Sequence, residues 1–93
     1  MEIYGTFYKQ LETVEGENNG KAWRRGGFVI VTGEEIERFV AFEFRKEELF
    51  PLVHDLKQGT RVCVRFNPES REFEGKYYTS LRAYNILTNG NAI

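Results

Sequence analysis

The stretch GKYYTSLRAYNI, residues 75 to 86, places Tyr78, Ser80, Arg82 and Tyr84 at every second position, with Thr79, Leu81 and Ala83 between them. Side chains of an extended strand alternate between its faces, so one face is suited to a core and the other carries flat rings interrupted by a guanidinium. Rings and a cation so spaced can stack on unpaired bases and meet the phosphates between them. The same pattern equally describes an amphipathic strand surface. Trp23, followed by Arg24 and Arg25, is a second ring-and-cation group. Phe42 or Phe44 could extend the face, and Lys21, Arg38, Arg65, Arg71 and Lys76 could add charge. For each there is a structural alternative. Trp23 beside Gly26 and Gly27 also fits as a plug at a barrel end, Arg82 as a surface ion-pair partner, and Arg71 as the object of competition between Glu69 and Glu72.

Other chemistry is poorly supplied. His54 is the sole histidine and lies beside Asp55, while Cys63 is the sole cysteine, so neither a paired-thiol metal site nor an internal disulfide is expected. The pairs Glu34/Glu35 and Glu47/Glu48 are adjacent in sequence and read as solvated, and no glycine-rich strand-to-helix phosphate loop occurs. We therefore expect no catalysis, no metal and no cofactor. Thirteen basic and fourteen acidic residues give a net charge of -1, so there is no global positive field to attract nucleic acid or an anionic membrane. Any such binding has to come from a local patch, and residues 61 to 82 hold five positive against three negative charges. The N-terminus lacks a basic segment followed by an apolar one, and no run approaches the roughly 18 apolar residues that span a bilayer. A soluble cytoplasmic protein in a reducing compartment is expected.

The elements that must position these residues follow from periodicity. The 93 residues suffice for one domain, expected over 1–87, with a disordered tail from 88 to 93. Residues 2–11 alternate with Ile3, Gly5, Phe7 and Leu11 on one face, which predicts a strand. ETVEGENNGKA reads as a mobile loop. A second strand runs from about Trp23 to Thr32, its central Gly26–Gly27 marking a bulge or bend. A third covers Ile36 to Phe44, with either face a candidate for the core. Helical spacing of Leu49, Leu52 or Val53, and Leu56 predicts a short helix over about Phe50 to Lys57, with Pro51 in its first turn and Gly59 at its stop. TRVCVRFN alternates as a fourth strand, with Val62, Val64 and Phe66 inward and Arg61, Cys63, Arg65 and Asn67 outward. PESREFEG reads as a turn entering a charged hairpin, and the tyrosine stretch is the fifth strand. Strand, strand, strand, helix, strand, strand is the order of an all-β, five-stranded Greek-key OB-fold barrel with its helix between strands three and four.

The residues themselves add a resemblance. GKAWRRGGFVIVT, RFVAFEF, LKQGTRVCVRF and SREFEGKYYTSLRAYNI together resemble a small bacterial family catalogued as a domain of unknown function and related to single-stranded DNA-binding proteins. The likeness runs from Met1 to about Ile86. Gly20 and Phe28, Val40 to Phe42, Leu56 to Gly59 and Tyr78 to Leu81 echo the single-stranded DNA-binding proteins more distantly. The resemblance implies an OB-fold whose exposed sheet aromatics and hairpin cations bind unpaired nucleic acid, without the acidic C-terminal tail of those proteins.

The expected function is thus single-stranded DNA or RNA binding through Trp23, Arg24, Arg25, Arg65, Arg71, Tyr78, Arg82 and Tyr84. The alternative is a protein-interaction or self-assembly module, a homo-oligomer in which Tyr4, Tyr8 and Tyr84 lie between subunits. A binding face keeps its rings open and its arginines unpaired, whereas an interface is shielded and two-fold related.

Overall fold

Two long hairpins dominate the architecture, and each is made by a turn of two residues. The computed structural model describes all residues except Glu34, Asn89, Gly90 and Ile93, with Asn91 and Ala92 described by their backbone. Strands β1 (Glu2–Asn18) and β2 (Lys21–Thr32) are joined through Asn19 (φ 52°) and Gly20 (φ 79°), and β4 (Arg61–Phe73) and β5 (Lys76–Thr88) through Glu74 (φ 53°) and Gly75 (φ 81°). Two successive left-handed residues give a turn whose twist matches that of the flanking strands. The mobile loop expected after Leu11 is therefore paired strand as far as Asn18, and the turn expected at Pro68 is paired strand as far as Phe73.

Strand β3 (Arg38–Phe44) pairs with β2, and the sheet order is β3-β2-β1-β4-β5, with a two-residue strand β6 (Asn91–Ala92) beside β5. A parallel pairing of β3 with β5, Glu43 opposite Arg82, closes the five long strands into a ring. Thr88 ends β5, and Asn91–Ala92 pair with Leu87 and Thr88. What was expected of the rest of the tail falls on Asn89, Gly90 and Ile93, outside the described residues.

Helix α1 (Leu49–Asp55) lies between β3 and β4 and buries Leu49, Phe50 and Val53. It begins one residue before the expected Phe50 and ends two before Lys57, because Leu56 is already extended (ψ 138°). Gly59 (φ 92°) lies in the turn beyond, where its N–H donates to the Phe7 carbonyl at 2.8 Å and the Phe7 N–H donates to the Thr60 carbonyl at 2.8 Å. The turn after the helix is thereby tied to β1.

The core is largely aromatic. Phe28 stacks on Phe42 with ring centroids 5.3 Å apart, Phe42 meets Phe66 edge-on at 5.3 Å, and Phe44 meets Phe50 edge-on at 4.7 Å. Ile30, Val53, Val64 and Ile86 fill the space between them. Phe42 and Phe44 thus face inward, which settles the orientation of β3 and removes both from the exposed aromatic face.

The irregularities lie in β1, where one of the two faces Gly26 as the paired glycines suggested, and in β5 at Tyr84. Tyr8 is unpaired between Phe7↔Ile30 and Lys9↔Val29, and Glu12 with Thr13 stand against Gly26 alone. One inserted residue exchanges the faces of everything after it. Leu11, expected beside Phe7 in the core, consequently pairs with Gly27 and lies on the outside of the ring. The glycines serve close packing: a Cβ on Gly26 would collide with the Phe44 ring, and one on Gly27 would stand 3.1 Å from the Phe42 carbonyl oxygen and 3.3 Å from Leu11 Cδ1. Cys63 also departs from expectation. It is buried although on the outward parity of β4, with Tyr4 and Leu87 its register partners on either side.

Candidate nucleic-acid interface

The parity change in β1 builds a cleft. Across β2 and β3 the outward positions are Gly27 opposite Glu43, Val29 opposite Ala41, and Val31 opposite Phe39, so small and aliphatic side chains lie between a carboxylate at one end and a ring at the other. Leu11 and Val14, from the β1–β2 hairpin, wall one side, and Thr79, Ser80 and Leu81, from the β4–β5 hairpin, wall the other. The cleft encloses about 550 Å³. Its floor is flat because glycine and alanine occupy the central positions, and its walls are the two hairpins.

Phe39 supplies the ring at one end of this cleft. It is 63% exposed, with Tyr8 packed edge-on at a centroid distance of 5.2 Å. An exposed phenyl ring held by a neighbouring ring is presented for stacking with little side-chain freedom left to lose. Sequence reasoning looked to Phe42 and Phe44 for this role. Val40, Phe42 and Phe44 form the inward face of β3 and leave Phe39, Ala41 and Glu43 to the other, a choice that alternation alone did not make.

Arginines gather at the other end. Arg25, Arg71, Tyr78 and Arg82, four of the expected site residues, line one small cavity of about 80 Å³, joined by Arg45, which the sequence reading passed over. Arg25, Glu43 and Ser80 line both this cavity and the cleft, so the two are continuous. Glu43 Oε2 is 3.8 Å from Arg25 Nε, Glu43 Oε1 is 4.0 Å from Arg82 Nη2, and Glu69 Oε1 is 2.5 Å from Arg82 Nη2. Arg82 is therefore ion-paired, as the structural alternative for it supposed. Arg45 and Arg71 make no ion pair among the described residues.

The other expected residues stand apart. Trp23 lies on the outward side of the β1–β2 hairpin, 42% exposed, with its indole against Gly16, where any Cβ would strike the ring. Arg24 points to the helix end of the ring of strands. Its Nε and Nη2 donate to Glu47 at 3.1 and 2.8 Å, and its guanidinium lies 3.8 Å over the Phe50 ring. Arg65 donates from Nε to Glu2 at 3.2 Å, on the opposite surface formed by β1 and β4. Tyr84 is the residue left unpaired by the irregularity in β5, between Ala83↔Phe66 and Asn85↔Arg65, and lines neither cavity.

The three perturbed groups, Arg24, Glu47 and Tyr4, belong to structure and not to the cleft. The hydrogen bonds from Arg24 hold the Glu47 carboxyl below its ordinary range. A carboxylate depressed in the folded state contributes stability above its unfolded pKa and loses it as the pH falls through the folded value. Melting temperatures followed into the acid range should accordingly fall more steeply for the wild type than for Glu47→Gln, with the two curves converging at the lowest pH; parallel curves would show that the pair contributes no pH-dependent stability. On the β1–β4 surface the Cys63 thiol, then the Glu2 charge, hold the Tyr4 hydroxyl above the usual phenol range.

A five-stranded ring closed by a parallel β3–β5 pairing, one helix between β3 and β4, and a cleft across β2 and β3 between two hairpins define an OB-fold. The chain belongs to the family described as a domain of unknown function, DUF3127, whose model matches residues 2–87. No curated protein matches the sequence. Among solved structures, the chain is similar to the mitochondrial single-stranded DNA-binding protein Rim1 of S. cerevisiae, with a TM-score of 0.74 and 18% identity over 99% of this chain and 96% of that one. It is also similar to the N-terminal domain of PriB from Thermoanaerobacter tencongensis, solved as a dimer, with a TM-score of 0.66 and 20% identity over 95% and 92% of the two chains. At these identities the likeness is one of fold.

Proposed function

We propose that the protein binds single-stranded nucleic acid in the cleft across β2 and β3, as a binding module without catalytic activity. The observation that carries this proposal is the continuity of the cleft, from the exposed Phe39 ring at one end to the arginine-lined cavity at the other. Bases stack on Phe39, with Tyr78 as a further ring on the β4–β5 hairpin, and phosphates meet Arg25, Arg71 and Arg82. Stacking contributes about 1–3 kcal/mol per base, so two rings supply up to about 6 of the roughly 8 kcal/mol of micromolar affinity and phosphate contacts supply the remainder, despite a net charge of -1. The similarity in fold to Rim1 supports this reading, and a cytoplasmic location accords with it. Among the described residues, no helix is long and apolar enough to cross a membrane.

The test is titration of a short oligothymidine into the full chain, followed by the fluorescence of Trp23 and by the anisotropy of a labelled strand, at low and at moderate salt. Saturable binding that weakens with salt is expected, with a logarithmic slope of about -0.7 per phosphate neutralised. Absence of binding at low salt and high micromolar protein overturns the proposal.

A separate surface favours self-association in addition. Tyr4, 65% exposed, lies beside the Glu2–Arg65 ion pair on β1 and β4, next to Cys63 and Leu87, and away from the cleft. Sedimentation of the wild type should show a dimer that Tyr4→Ala weakens; a monomer at all concentrations removes this reading and leaves the cleft untouched.

A further inference from the structure

We infer that the small cavity at the base of the β4–β5 hairpin is a phosphate site, held in readiness by two carboxylates that an incoming phosphate displaces. Arg25, Arg45, Arg71 and Arg82 line it against Glu43 and Glu69, so two of its four positive charges have no counter-charge within the cavity. Glu43 stands at 3.8 and 4.0 Å from its two arginines, beyond hydrogen-bond length, and so attracts them without satisfying their donors. Arg82 Nε is shielded from solvent and has no acceptor. A buried donor without a partner is costly, and the carboxylates around Arg82 leave its guanidinium incompletely satisfied. Phosphate oxygens match the planar fork of a guanidinium, and Ser80 and Tyr78, which also line the cavity, carry hydroxyls able to donate to them. At about 80 Å³ the cavity has room for an oxyanion.

Because Arg25, Glu43 and Ser80 are shared with the cleft, a phosphate seated here is the anchor for one end of a strand lying along β2 and β3. The identity of that carrier rests on the function proposed above; the site itself does not, and free phosphate presents the same oxygens. Glu69, half exposed and paired with Arg82, is the competitor nearest the entering group. Its removal frees Arg82 and, at the strength of a surface ion pair, tightens strand binding by up to about fivefold.

Oligothymidine and inorganic phosphate are titrated separately into the full chain while the arginine Nε–Hε resonances are followed by NMR, and oligothymidine affinity is compared for the wild type, Glu69→Gln and Arg71→Gln. Both probes are expected to shift the Arg82 and Arg71 signals, with Glu69→Gln binding more tightly and Arg71→Gln more weakly. Oligothymidine that binds while these signals stay in place, and with equal affinity for Glu69→Gln, overturns the phosphate site and leaves strand binding standing. Phosphate that moves the signals while oligothymidine fails to bind keeps the site and removes the strand. If neither probe binds, both fall.

Discussion

Phe39→Ala is expected to weaken oligothymidine binding by about 1–3 kcal/mol, the contribution of one stacked base, or roughly five- to 150-fold in Kd. The ring is 63% exposed on the outer side of the sheet, so its truncation removes little core contact and the variant should keep its melting temperature within a few degrees of the wild type. That separation makes the measurement decisive: a large loss of affinity without loss of fold assigns the ring to the ligand. Tyr4→Ala is the matched control, an aromatic of similar exposure on the β1–β4 surface, and its affinity for the strand should not change. Equal losses for both variants would mean that the protein binds through undirected aromatic surface, and no loss for Phe39→Ala would move the strand out of the cleft.

Phe28→Ala is expected to have the larger effect on stability, about 3–5 kcal/mol in guanidinium unfolding, which is a large part of the roughly 5–15 kcal/mol that holds a domain folded. Phe28 is fully buried and its ring touches those of Phe7, Phe42 and Phe44, with centroids 6.2, 5.3 and 6.0 Å away. It is the residue common to β1, β2 and β3, and on the other side of the same backbone lies the floor of the cleft. Truncation leaves a cavity that the closed ring of strands cannot collapse to fill, because each strand is pinned on both sides. A loss below about 1 kcal/mol would show that the phenylalanines do not form one cooperative core.

The candidate site is electrostatically unusual in one respect: a protein with slightly more acid than base concentrates four arginines at the junction of β2, β3 and the β4–β5 hairpin. Their sources in the sequence are far apart. Arg25 comes from β2, Arg45 from just beyond β3, and Arg71 and Arg82 from opposite strands of one hairpin, so no single window of the chain shows the cluster. The parallel pairing of Glu43 with Arg82 assembles it, and the same pairing closes the ring. Fold closure and charge concentration are thus one event, and the two carboxylates offset the mutual repulsion of the arginines.

Much of the architecture was written in local pattern. Alternation of Ile3 with Phe7, of Val62, Val64 and Phe66, and of Tyr78 with Arg82 identified strands and their faces, because side-chain direction in a strand depends only on parity until an insertion intervenes. The break to helical spacing around Leu49 and Val53 identified the helix, and the order of elements was enough to define an OB-fold. Asn19–Gly20 was a legible hairpin signal too, although the charges around it read as loop.

Tertiary structure decided what parity could not carry across a bulge. The unpaired Tyr8 turned Leu11 from core to cleft wall, a one-residue event that leaves no mark in composition. Packing on β2 chose which face of β3 would be buried, and so made Phe39 rather than Phe42 the open ring, since both faces of that strand are apolar enough to serve. Arg24 and Arg65, indistinguishable in sequence from Arg25 and Arg71, were drawn to Glu47 and Glu2 by strands that meet only when the ring closes. Residue type and spacing determined that the chain forms a small closed sheet with rings and arginines on its surface; long-range strand pairing determined which of them face one another, because that is set by register between segments dozens of residues apart.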